Sequence, residues 1–179
     1  PCQSSAASDV YKRQDLVYSS ATYRISNINV ENLTLTGSSN INGVGNSSAN
    51  TIRGNSGANK LNGGAGVDVL VGNAGNDRLF GGSGIDTMLG GNGNDIYVVD
   101  NSSDIVRESS NQGTDLVYSS ATYRISNSNI SNLTLTGSSH INGTCNSSAK
   151  TIRGNSGANK LNGGAGVDVL VGNAGNDRL

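Results

Sequence analysis

Residues 63–98 repeat every nine positions, and that period restricts the chain to few folds. Set out in nines, the stretch reads GGAGVDVLV, GNAGNDRLF, GGSGIDTML and GGNGNDIYV. Glycine stands first in each nine, at Gly63, Gly72, Gly81 and Gly90, and fourth, at Gly66, Gly75, Gly84 and Gly93. Aspartate stands sixth, at Asp68, Asp77, Asp86 and Asp95. A large apolar residue stands eighth, at Leu70, Leu79, Met88 and Tyr97. A fixed period of this kind is the signature of a repeat architecture.

Each nine divides into a turn and a short strand. The first six residues hold the glycines and the aspartate; glycine reaches positive φ, permits a tight turn and leaves carbonyls uncovered. The last three place one apolar side chain between two variable ones, as in a very short strand with one face inward. Two nines then bring the chain round once, so that residues 18 apart stack at the strand spacing of about 4.8 Å. On that geometry Asp68 lies over Asp86 at one edge and Asp77 over Asp95 at the other, while Leu70 stacks on Met88 and Leu79 on Tyr97. The expected fold is all-β, a parallel β-roll or β-solenoid.

On these residues the stretch resembles the glycine- and aspartate-rich nonapeptide repeats of the repeats-in-toxin (RTX) family, whose pattern is G-G-x-G-x-D-x-(apolar)-x. Gly63–Val71 matches at every position, and Gly72–Phe80 departs only at Asn73. The resemblance implies a β-roll that binds Ca²⁺ in its turns, with carbonyls and aspartates of two stacked turns sharing each ion. The donor types agree with that ion, which is hard and takes six to eight oxygen ligands. Asparagine and aspartate also serve plain turns, which accounts for single positions but not for two ladders of aspartate. Zinc is unsuited, since the Cys and His it prefers are nearly missing.

A longer repeat encloses the nines. Residues 15–79 align without a gap with 115–179 at an offset of 100, and differ only at 28, 30, 31, 40, 44, 45 and 50, so that 58 of 65 positions are identical. The chain divides accordingly. Residues 1–14, which include the string DVYKRQ, read as an adapter-derived or disordered segment outside the pattern. Residues 15–114 form a first module, with strands in 15–44, nonapeptides in 45–98 and connecting strands in 99–114. Residues 115–179 form a second module, cut within a nonapeptide at Leu179. Leu33, Thr34, Leu35 and Thr36 alternate as a half-buried strand would. The nines at 45–53 and 54–62 keep the period but carry Asn50 and Asn59 in the aspartate place, and are expected to hold metal weakly or not at all. Asp168 and Asp177 repeat the motif in the second module, but their neighbours 18 residues back are Lys150 and Asn159.

Composition excludes several function classes. With 26 Gly, no Trp and 4% aromatics, a large compact core is hard to build. A net charge of −1 leaves no electrostatic footprint for nucleic acid, and no apolar run is long enough to span a bilayer. His140 is the sole histidine, so an H-E-x-x-H zinc site is impossible. The Gly-x-Ser-Gly runs at 54–58 and 81–85 miss the nucleophile elbow at its last position. No catalytic residue is expected. Cys2 and Cys145 make no disulfide framework, and Cys145 replaces Gly45 of the first copy as a tolerated substitution.

The functional expectation is a calcium-binding segment of a secreted bacterial protein. The resemblance implies export through type I secretion machinery, with folding outside the cell on Ca²⁺. The alternatives are a tandem segment of a surface adhesin, or the non-catalytic C-terminal part of a secreted hydrolase or epimerase.

Overall fold

The computed structural model describes residues 15–148 and 150–179. The segment 1–14, with its adapter reading, lies outside them. Among the described residues there are eighteen strands and no helix. The strands pair in parallel, each with the strand one full coil away. The result is a β-solenoid of about nine coils, as the nonapeptide period requires.

Along the nonapeptide coils the core is one side chain wide on each face, and Leu35, Val99 and Leu135 add a second buried position to strands Val30–Leu35, Ile96–Val99 and Asn132–Leu135. On one face Leu33, Ile52, Leu70, Met88 and Val106 stand in register. On the other, Leu61, Leu79, Tyr97, Val117, Leu133, Ile152 and Leu170 do the same. All but Leu170 are buried. Their neighbours in sequence point outward, which is the period-two alternation of a strand. The expected pairs Leu70–Met88 and Leu79–Tyr97 are therefore present.

The coils outside the perfect nines belong to the same stack but differ in length. Successive partners are 18 apart from Ile52 to Leu70 to Met88, 20 from Tyr97 to Val117, 16 from Val117 to Leu133, and 19 from Leu133 to Ile152. The strands keep register while the bends absorb the difference. The stretch DLVYSSATYRIS is not one strand: Asp15–Ser19 and Tyr23–Arg24 lie in different sheets, joined by a bend.

The 100-residue repeat contains eleven strands, from Asp15–Ser19 to Ile105–Arg107. Eleven is odd, so the second copy begins on the opposite face. Asp15–Ser19, Val30–Leu35 and Thr51–Arg53 belong to a six-stranded sheet. Their counterparts Leu116–Ser119, Asn132–Leu135 and Thr151–Arg153 belong to the nine-stranded one. The six-stranded sheet ends at Ile105–Arg107, and a separate three-stranded sheet starts at Tyr123–Arg124. Side chains bridge this break: the Tyr123 hydroxyl donates to the Asp104 carbonyl at 3.1 Å, and the amides of Asn127 and Asn129 to that of Glu108 at 2.9 and 3.0 Å.

Candidate metal centre

The sixth and eighth residues of a nine are two apart on an extended chain, so they face the same way. The apolar eighth residue faces the core, and the aspartate is carried inward with it. Asp68, Asp77, Asp86 and Asp95 are all buried, at 1% exposure or less. A buried carboxylate is costly unless it is paired or hydrogen-bonded, and here one of its two oxygens is satisfied by the coil before. Oδ1 of Asp68 accepts the Asn50 N–H at 2.7 Å, Oδ1 of Asp86 accepts that of Asp68 at 2.9 Å, and Asp86 N–H in turn donates to Asp104 at 2.9 Å. At the opposite bend Asn59, Asp77, Asp95 and Asp115 form the same series at 2.7, 2.7 and 2.9 Å. The predicted pairs Asp68–Asp86 and Asp77–Asp95 are thus joined directly, on separate edges.

The second oxygen of each carboxylate has no partner. Oδ2 of Asp68, Asp77, Asp86 and Asp95 is buried and accepts no hydrogen bond. Each lies over the first glycine of its own nine. A Cβ on Gly63 would collide with Asp68 Oδ2 and with the Gly81 carbonyl of the next coil, and a Cβ on Gly72 with Asp77 Oδ2 and the Gly90 carbonyl. A Cβ on Gly81 would meet Asp86 Oδ2, and one on Gly90 would meet Asp95 Oδ2. Carboxylate and carbonyl oxygens therefore converge on a space that only glycine leaves open. Orphaned anionic oxygens beside backbone carbonyls fit a hard cation.

The fourth-position glycines do a different job. Gly66, Gly75, Gly84 and Gly93 have φ of 118°, 113°, 143° and 132°, and a Cβ on any of them would strike the backbone of the coil before. Asn73, the one departure in its nine, keeps the left-handed backbone with φ 78° and donates from its side chain to the Gly54 carbonyl at 2.7 Å. Asparagine is among the few residues that visit this region routinely.

Burial holds these carboxyls above the ordinary carboxylate range. Burial raises Asp68 and Asp77 from 3.8 to about 6 and Asp95 to about 7, and it raises Asp86 and Asp115 as well. Hydrogen bonds from the neighbouring coil oppose the shift without cancelling it.

The second copy is built differently. Asp168 and Asp177 accept the N–H of Lys150 at 2.9 Å and of Asn159 at 2.8 Å, but both are only half-buried. Lys150 does not point at Asp168. Its ammonium turns to the coil before and donates to the carbonyls of Ser128, at 2.8 Å, and Ile130. In the first copy the Asn50 amide donates to the carbonyls of Val30 and Glu31 instead. Lys150 thus brings a cation of its own into the stack. Cys145 is a buried free thiol raised by burial to about 11, which makes it inert. Nδ1 of His140 accepts the Ala158 N–H at 3.1 Å, as Asn40 accepts that of Ala58, so it is a turn residue.

Three acidic residues were missed from the sequence. Asp104 lies 18 residues beyond Asp86, so extending the register would have found it. Asp115 lies 20 beyond Asp95, across a lengthened coil, and no fixed spacing points to it. Glu108 lies 18 beyond Gly90, in the register of a first glycine, and its carboxyl approaches those of Asp95 and Asp115. Burial, with Asp115 and Asp95 beside it, raises Glu108 from 4.5 to about 8.

A parallel β-solenoid whose bends carry buried carboxylate ladders over glycine turns is a metal-binding scaffold. The RTX calcium-binding nonapeptide repeat family matches residues 44–79, 71–106 and 151–179, and the chain belongs to it. Ca²⁺ is accordingly its metal. No curated protein and no solved structure matches the chain. Among the described residues, no helix is long and apolar enough to cross a membrane.

Proposed function

We propose that this chain is a calcium-gated folding segment of a secreted bacterial protein, exported unfolded through type I secretion machinery and ordered outside the cell. Its ligands are the carboxylates of Asp68, Asp77, Asp86 and Asp95, with backbone carbonyls of the first and fourth glycines of the nines. Asp168 and Asp177 contribute weaker positions. The observation that carries this reading is the set of four buried, partnerless Oδ2 atoms beside glycine carbonyls.

Energetics support gating. Glycine-rich chain loses much entropy on ordering, and the narrow core of the nonapeptide coils returns little. Stacked carboxylates add repulsion, about 0.9 kcal/mol per pair at about 4.8 Å even in water. Bound calcium would supply the compensating charge, stabilising the fold by about 2.7 kcal/mol per ion at 100 times Kd. The low calcium of a cytosol leaves the chain extended for export, and millimolar calcium outside folds it. Circular dichroism tests this: little β signal in chelator and a full one in millimolar calcium is expected, and an unchanged β signal in excess chelator would overturn the reading.

A second reading, a spacer segment of a surface adhesin, is favoured by the continuous stacking of two near-identical copies. On either reading the segment itself is non-catalytic, and any activity belongs to other parts of the parent protein.

A further inference from the structure

The edge that carries Asp77 and Asp95 ends in an arrangement found nowhere else among the described residues. At the register of the first glycine, after Gly72 and Gly90, the chain carries Glu108. A glycine there offers only its carbonyl; a glutamate sends a carboxylate into the interior. Asp95, Glu108 and Asp115 are all buried, and one oxygen of each lies within 4.8 Å of the others. Asp95 Oδ2 and Glu108 Oε2 accept no hydrogen bond. The other Glu108 oxygen is held by Tyr97, whose hydroxyl accepts the Gly90 N–H at 2.7 Å and donates to Glu108 Oε1. The tyrosine thus fixes the glutamate and leaves its second oxygen free.

We propose that Asp95, Glu108 and Asp115 form a divalent-cation site of their own, made from side-chain carboxylates and oriented by Tyr97, that binds calcium more tightly than the repeated glycine cradles. Three anionic oxygens within 4.8 Å suit an ion with bonds of about 2.3–2.6 Å, as for calcium. Magnesium, with bonds of about 2.1 Å, would require them to draw closer. Three carboxylates confined together also repel strongly in a low-dielectric interior, so a cation here relieves more repulsion than at any two-carboxylate step. The site shares Asp95 with the calcium reading above but does not require the other cradles to be filled.

Terbium, a luminescent stand-in for calcium sensitised by nearby tyrosine, reads the site directly in the whole chain. Wild-type protein is expected to show a tight phase of sensitised emission before weaker ones. Glu108→Gln keeps an acceptor for Tyr97; it should remove one ion from the calorimetric calcium count and weaken the tight phase at least tenfold. Tyr97→Phe leaves all three carboxylates and should dim the tight phase. Glu31→Gln, an acid outside the cluster, should leave it intact. An unchanged ion count and tight phase in Glu108→Gln, or a tight phase undimmed in Tyr97→Phe, overturns the proposal. If the repeated cradles do not bind, wild type instead takes up one ion, lost in Glu108→Gln. That result defeats the broader reading and keeps this one.

Discussion

Replacing Asp77 by asparagine should change stability in opposite directions with and without calcium. In the calcium-free roll at pH 8, Asp77 is ionised although burial has lifted it from 3.8 to about 6. Ionising a carboxyl so displaced costs about 3 kcal/mol as an upper bound, and about 2 kcal/mol after allowance for residual screening. Asp77→Asn removes that cost. Its amide oxygen can still accept the Asn59 N–H, and its NH₂ replaces an oxygen that has no partner. The chain already tolerates the exchange one coil earlier, where Asn59 is buried with its amide donating to the Ile41 carbonyl at 2.7 Å. About 2 kcal/mol raises the folded-to-unfolded ratio by roughly 30-fold. With calcium the variant should lose a ligand and much of one ion's stabilisation, about 2.7 kcal/mol at 100 times Kd. Circular dichroism at pH 8 reads both effects: in calcium-stripped buffer the variant should carry more β signal than wild type, and calcium should add less to it. A variant less stable than wild type without calcium, or equally stabilised by it, would refute the claim that the ladder is a strained anion store.

Asp86→Ala should weaken calcium binding more than Asp168→Ala, and Asp95→Ala more than Asp177→Ala, because Asp86 and Asp95 are buried and bonded to Asp104 and Asp115 while Asp168 and Asp177 are half-buried; calorimetric titration giving equal losses would mean that stacked coils do not share ions. The calcium-free roll should also be pH-dependent. Folded-state values of about 6 for Asp68 and Asp77, about 7 for Asp95 and about 8 for Glu108 lie above the unfolded ones. Stability is then fullest below about pH 4 and is lost as pH rises through 6 to 8. The β signal in metal-free buffer should be larger at pH 5 than at pH 8, and a flat profile would show that burial does not raise these carboxyls.

The sequence by itself determined the coil and most of its contents. A strict nine with one apolar position forces a strand per nine, and two strands per turn bring residues 18 apart together. Leu70 on Met88 and Asp68 on Asp86 follow from counting, because a short-range period leaves no freedom in register. Counting fails where the coils depart from 18. The extra two residues between Tyr97 and Val117 could be absorbed at a bend, in a bulge or by a shift of register. Only packing decides among these, since the apolar ladder must stay continuous. That choice carries Asp115 onto Asp95 and Glu108 into a glycine's place. It also fixes eleven strands to the 100-residue repeat, so that two copies with nearly the same sequence present opposite faces. The direction of Lys150 was likewise closed to sequence reasoning. A lysine next to an aspartate suggests an ion pair, but the inward backbone at position 150 aims the long side chain at the carbonyls of Ser128 and Ile130. Local periodicity sets which residues face inward, whereas coil length and the reach of side chains between coils set which of them meet.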